Sequence, residues 1–224
     1  MGFKSSRLRP RHDLPITHVQ SWGLDLANDQ KAAVILNIAA FPLFAAFGWV
    51  FLTLASGLRS QIATRVYLGS ITPNPFLFLL LFIAFIVVLM VIHEAIHGIF
   101  FWIFTRSRPV FGLKLLFAYA GAPEWYIPRN QYAIIGLAPL VLMTVGGFLV
   151  VSLAPLSVGQ LALIGITLNA SGAVGDLYVS GKVMCQPRNV LVQDTGARFT
   201  MFREIDDGAG SLEHNQEGVR DHER

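Results

Sequence analysis

The sequence predicts an all-α integral membrane protein of about four transmembrane helices, with a small extended hairpin between the second and third helices and a short cytosolic tail. Three observations predict it. Of 224 residues, 54% are hydrophobic and 14% charged, with a mean hydropathy of +0.55, whereas an ordinary soluble domain carries about 25% charged residues. Four stretches are apolar over the roughly 20 residues needed to cross about 30 Å of hydrocarbon. With four crossings, fifteen of the seventeen lysines and arginines fall on one side. The positive-inside rule makes that side cytoplasmic, with both termini inside. The basic residues flank apolar runs instead of forming one stripe, which excludes nucleic acid as a partner. The single cysteine, Cys185, excludes an internal disulfide and a cysteine-cluster metal site.

Residues 1–31 are a polar cytosolic segment in which Lys4, Arg7, Arg9 and Arg11 precede Asp13, Asp25 and Asp29. The apolar run that follows starts too late and runs too long for a cleavable signal peptide, and the acidic residues argue against a transit peptide. The expected spans are 32–58, 75–104, 132–156 and 160–178, the second long enough to tilt or project. Only residues 157–159 join the last two, so they should form a tight antiparallel pair. Residues 109–131 are aromatic but broken by Pro109, Gly112, Gly121, Pro123 and Pro128. An extended or re-entrant hairpin fits there, with a strand over 113–119 and a turn at Gly121-Ala122-Pro123. A strand edge there would suit β-augmentation by an unfolded substrate. The alternative is an interfacial loop anchored by Trp125 and Tyr126. Residues 190–193 and 197–202, around Asp194-Thr195-Gly196, suggest a short cytosolic hairpin within 185–205. Residues 206–224, polar and rich in glycine and charge, read as a disordered tail. One membrane domain, 32–184, is expected.

Within the second span stands His93-Glu94-Ala95-Ile96-His97. A charged side chain at a bilayer centre costs about 2.5–3.5 kcal/mol on the mildest scale, so such residues face the protein interior and act there. Two histidines four residues apart on a helix are turned by about 40° and raised by about 6 Å, so both imidazoles leave one face and can share a zinc ion. Glu94 lies beside them. It is placed to take a proton from a water whose pKa the metal has brought to about 7.

A catalytic zinc site needs a third protein ligand. The remaining histidines, His12, His18, His214 and His222, lie in the polar ends. Asp176 is the one ionisable residue between Gln160 and Tyr178, and its depth agrees with the histidines. His93 and His97 lie about 27–33 Å beyond Pro75, and Asp176 about 24 Å beyond Gln160, at 1.5 Å per residue. Gly172 and Gly175, among Ala170, Ser171 and Ala173, strip one helix face of bulk and should let the second helix approach. Alternatively Asp176 simply reaches the cytosolic interface. Asn169, seven residues earlier on nearly the same face, could orient a substrate carbonyl, hydrogen-bond the site, or join two helices.

With these residues in view, His93-Glu94-Ala95-Ile96-His97 in one membrane helix and Asn169 to Asp176 in a later one resemble the putative zincin peptidases, small membrane proteins that look like stripped-down site-2 proteases. The resemblance runs from about the second helix to Asp194-Thr195-Gly196. It implies a membrane zinc metallopeptidase with His93, His97 and Asp176 as zinc ligands and Glu94 as general base. Site-2 proteases commonly carry Asn-Pro-x-x-Asp-Gly around the third ligand, whereas here Leu177 follows Asp176 and no proline lies nearby. The expected activity is hydrolysis of peptide bonds in membrane or membrane-proximal substrates, in a multi-pass protein of a prokaryotic plasma membrane. A non-catalytic zinc-binding membrane protein, whether carrier, sensor or scaffold, is the alternative. Such a protein has no use for Glu94.

Overall fold

A computed structural model describes residues 9–63, 74–114 and 117–205. The disordered tail expected over 206–224 lies outside the described residues. The chain is mostly helical, with a small antiparallel sheet: β1 His18–Asp25, α1 Gln30–Leu58, α2 Pro75–Thr105, β2 Val110–Leu113, β3 Ala118–Pro128, α3 Arg129–Leu153, α4 Leu156–Gly172, α5 Val174–Met184, β4 Leu191–Asp194 and β5 Arg198–Glu204. By length and composition α1, α2 and α3 can each cross a membrane, and the α4–α5 pair, bent by 50°, is a fourth if it counts as one span.

Helix starts follow from capping. The Asp29 side chain accepts from the Ala32 amide at 3.0 Å to open α1, and Asn74 accepts from Phe76 and Leu77 at 2.9 and 3.2 Å to open α2. Pro75 in the first turn of α2 loses nothing, because its missing N–H would have had no partner there. The α2 helix stops at Arg106, which turns left-handed with φ 58°.

Three expectations need correcting. The last two spans are joined at Ala154-Pro155, not at residues 157–159, because a residue before proline is pushed out of helical geometry and α4 restarts directly after Pro155. The fourth span is broken at Ala173 instead of running through. In the middle segment the hairpin exists, but it pairs Val110–Leu113 with Ala118–Gly121, so Gly121-Ala122-Pro123 is inside β3 and is not the turn. Gly121 is needed for close approach: an added Cβ would lie 2.5 Å from the Gly196 amide nitrogen. Pro123 occupies an irregularity in the β3–β4 ladder between Ala122 and Tyr126, where no ladder amide is missed.

The sheet is larger than one hairpin. Its order is β1-β5-β4-β3-β2, so the amino-terminal segment, the middle hairpin and the carboxy-terminal hairpin form one five-stranded layer. Residues expected to be a plain polar cytosolic segment thus contribute an edge strand. On the other side Arg11 exchanges backbone bonds with Tyr126 at 3.1 and 2.8 Å, covering part of the β3 edge. Where this sheet meets the helices, Phe101, Ile127, Tyr132, Ile135, Val183, Val192 and Phe199 share one buried cluster. A second cluster, built on Phe51, Val151, Leu163 and Ile166, joins α1, α3 and α4 at the far end.

Candidate metal centre

His93 and His97 leave α2 on one face as their spacing requires, with ring centroids 4.9 Å apart. Asp176 comes from the first turn of α5. The break at Ala173 makes that position a helix amino terminus, where unpaired amides and the helix dipole favour a carboxylate. The Asp176 carboxylate meets both rings, Oδ2 at 3.0 Å from His93 Nε2 and Oδ1 at 3.4 Å from His97 Nε2. The two Nε2 atoms are 3.2 Å apart. All three residues offer ligand atoms within 4.8 Å of one another, as a group able to hold a metal ion.

The other ring nitrogens decide what the centre is built for. His93 Nδ1 lies 2.8 Å from Asn169 Oδ1, and His97 Nδ1 lies 2.9 Å from the Ile135 carbonyl. Both partners accept, so each imidazole carries its proton on Nδ1 and turns a bare Nε2 inward. Two imidazole lone pairs and a carboxylate then converge with no hydrogen among them. Such an acceptor-only cluster inside a protein is stable around a cation. Zinc bonds of about 2.0–2.2 Å in a tetrahedron put ligand atoms about 3.3 Å apart, close to the 3.0–3.4 Å found here. The donor set of two imidazoles and a carboxylate suits zinc and leaves a fourth position open.

Glu94 lines the same cavity of about 470 Å³. Leu36, Asn37 and Ala40 of α1 form one wall, Ile86, Leu89 and Met90 of α2 another, and Tyr119, Gly196 and Ala197 close the sheet side. Gly172 and Gly175 also line it, and neither would bring a Cβ within 4 Å of another atom. They leave room in the cavity and do not seat α2. That approach occurs at Gly165, where a Cβ would stand 3.1 Å from Phe85 and 3.4 Å from Leu89.

Residues 86–191 match the model of the putative zincin peptidase family. The match shows the resemblance first carried by the His93–His97 motif and the Asn169–Asp176 segment, and it spans every residue of the centre. Neither a curated protein nor a solved structure matches the chain. The zincin match supports a metallopeptidase and implies a metal, zinc by family character.

Around the candidate centre the structure adds residues that the sequence did not single out. Tyr132, buried in the first turns of α3, donates its hydroxyl to Asp194 Oδ2 at 2.6 Å, while Asp194 Oδ1 accepts from the Gly196 amide at 2.7 Å. Burial raises the Asp194 carboxyl to about 6, against which the hydrogen bond from Tyr132 pulls down. This pair pins the turn that holds Gly196, at φ +90°, over the Tyr119 ring at the cavity rim. The signal available was a lone acid at the end of a short strand, hidden because Asp-Thr-Gly also spells a turn.

Proposed function

We propose that this chain is a membrane-embedded zinc metallopeptidase that hydrolyses peptide bonds of membrane or membrane-proximal substrates. His93, His97 and Asp176 would hold the ion and Glu94 would serve as general base. The observation that carries the reading is the convergence of two Nε2 atoms on one carboxylate, with an oxygen against the Nδ1 of each imidazole. Bound zinc supplies Lewis-acid polarisation of a peptide carbonyl and lowers the pKa of a water to about 7.

The chain's own residues supply the rest. Glu94 sits one position after His93 on the cavity-facing side of α2. It takes the proton of the attacking water and returns it to the leaving amine, which keeps the proton count balanced. Asn169 orients His93 through its Oδ1, while its Nδ2 is buried and without a hydrogen-bond partner among the described residues. Apolar walls from α1 and α2 suit an apolar peptide segment.

The test is peptide hydrolysis in proteoliposomes, using quenched-fluorescent apolar peptides with wild type and Glu94→Gln at equal zinc content. Cleavage by wild type and a loss of about 10²-fold or more in Glu94→Gln supports the peptidase. Equal rates in both would remove Glu94 from the chemistry and return the chain to a zinc-binding role without hydrolysis.

A further inference from the structure

The Ile135 carbonyl that holds His97 should not be available. In a regular α-helix it accepts the amide of the residue four positions on, and Ile135 lies well inside α3, Arg129–Leu153. That residue is Pro139, which has no N–H. From this we infer that Pro139 is a positioning residue of the metal centre, reserving the Ile135 carbonyl for His97 Nδ1 by withholding the helix's own donor. The inference rests on the zinc reading above.

Several observations converge on it. The His97 Nδ1 to Ile135 oxygen distance is 2.9 Å, and His97 is 6% exposed. No other oxygen is paired with that nitrogen among the described residues. Ile135 and Pro139 are both fully buried, and Ala138 beside them is 6% exposed. A proline in a packed span carries the cost of one lost helix bond and a ring against the preceding turn. Such a residue persists where neighbouring groups satisfy the freed carbonyl. Here the neighbour is a candidate ligand. The interaction also fixes the proton on Nδ1, so that Nε2 presents its lone pair toward Asp176 and His93. With an alanine at 139, the new amide would compete for the carbonyl and draw it back along the helix axis. His97 would then lose the acceptor that sets both its tautomer and its ring orientation.

The experiment measures zinc affinity by competition with a chromogenic chelator, in detergent-solubilised full-length protein, for three forms. These are wild type, Pro139→Ala, and a form with lactic acid at 139 introduced by amber suppression. Lactic acid has alanine's methyl group, but its ester oxygen replaces the N–H. The expected result is about tenfold weaker zinc binding in Pro139→Ala, at the lower end of what loss of a ligand-orienting partner costs, and return to within about twofold of wild type with lactic acid. Cobalt substitution gives a second readout: the visible ligand-field bands should move in Pro139→Ala and return in the ester form. Alanine is the better helix former, so thermal unfolding of the metal-free protein should not fall, which separates a positioning effect from damage to the fold. Equal zinc affinity in all three forms overturns the inference while leaving the zinc reading intact. So does an ester form that behaves like Pro139→Ala. A wild type that binds no zinc overturns the zinc reading, and this inference with it.

Discussion

Two apolar helices of similar length, α1 and α3, each carry a proline in their interior, and the two prolines have different consequences. In α3, Pro139 is fully buried and the carbonyl it frees, on Ile135, meets His97. In α1, Pro42 is exposed and the carbonyl it frees belongs to Ile38, whose side chain is 60% exposed. The surroundings differ in the same way. Tyr132, Ala133, Ile135, Gly136, Ala138, Pro139 and Val151 are buried along α3, but only Ala33, Phe51 and Ala55 along α1. A missing donor gains meaning from where the freed acceptor points. The α3 helix is the scaffold on which the centre is assembled, while α1 leans mainly on α4 and serves as a cavity wall.

The largest effect should come from prying the scaffold apart. Gly165→Leu forces bulk between α4 and Phe85 and Leu89 of α2. It should destabilise by about 3 kcal/mol and abolish metal binding, read by thermal unfolding in detergent and by zinc content. Tolerance of leucine there would mean that α2 is not held where the centre requires it. Next, Tyr132→Phe leaves Asp194 Oδ2 without its donor. A cost of about 2 kcal/mol is expected in the same unfolding experiment, with the metal retained. An unchanged midpoint would deny that the pair pins the sheet to α3.

The third prediction concerns pH. Asp194 is raised by burial to about 6 from an ordinary 3.8, so the folded state binds its proton more tightly than the unfolded state does. Its contribution to stability is therefore full below about pH 4 and is lost as pH rises through about 6. In chelator-treated protein the unfolding midpoint should fall between pH 4 and pH 7. Asp194→Asn should flatten that slope, and a slope unchanged in the variant would assign it to other groups. The smallest effect is expected at α1: Pro42→Ala should leave zinc affinity within about twofold of wild type, since Pro42 is exposed and does not line the cavity. A loss equal to that of Pro139→Ala would erase the distinction between the two helices.

Much of this was legible in the sequence because it is local. The i,i+4 histidines need only helical periodicity, and the spans need only a run of apolar residues. Asp176 was singled out by depth counting, because a charge within an apolar run is rare and so informative, and the structure brings it beside the two histidines. What stayed hidden is non-local. β1 pairs with β5 across most of the chain, from His18 to Glu204, and no short-range pattern in a polar segment announces that pairing. The break at Ala173 involves neither proline nor a left-handed residue, and the glycines on either side of it are the one local signal. The glycines at 172 and 175 were read as a packing face when they line open cavity. Small side chains signal either close approach or empty space, and only the neighbours tell which. Pro139 was visible, but its importance depends on which side chain reaches the carbonyl four residues earlier.

The most direct measurement is zinc content of the detergent-purified protein by elemental mass spectrometry, for wild type, Glu94→Gln, His97→Ala and Asp176→Ala. The account predicts about one zinc per chain in wild type and in Glu94→Gln, since a tetrahedral catalytic site has three protein ligands and Glu94 is not among them. It predicts little or none in His97→Ala and Asp176→Ala. A wild type without zinc after reconstitution would contradict the account, as would Asp176→Ala that keeps its full complement.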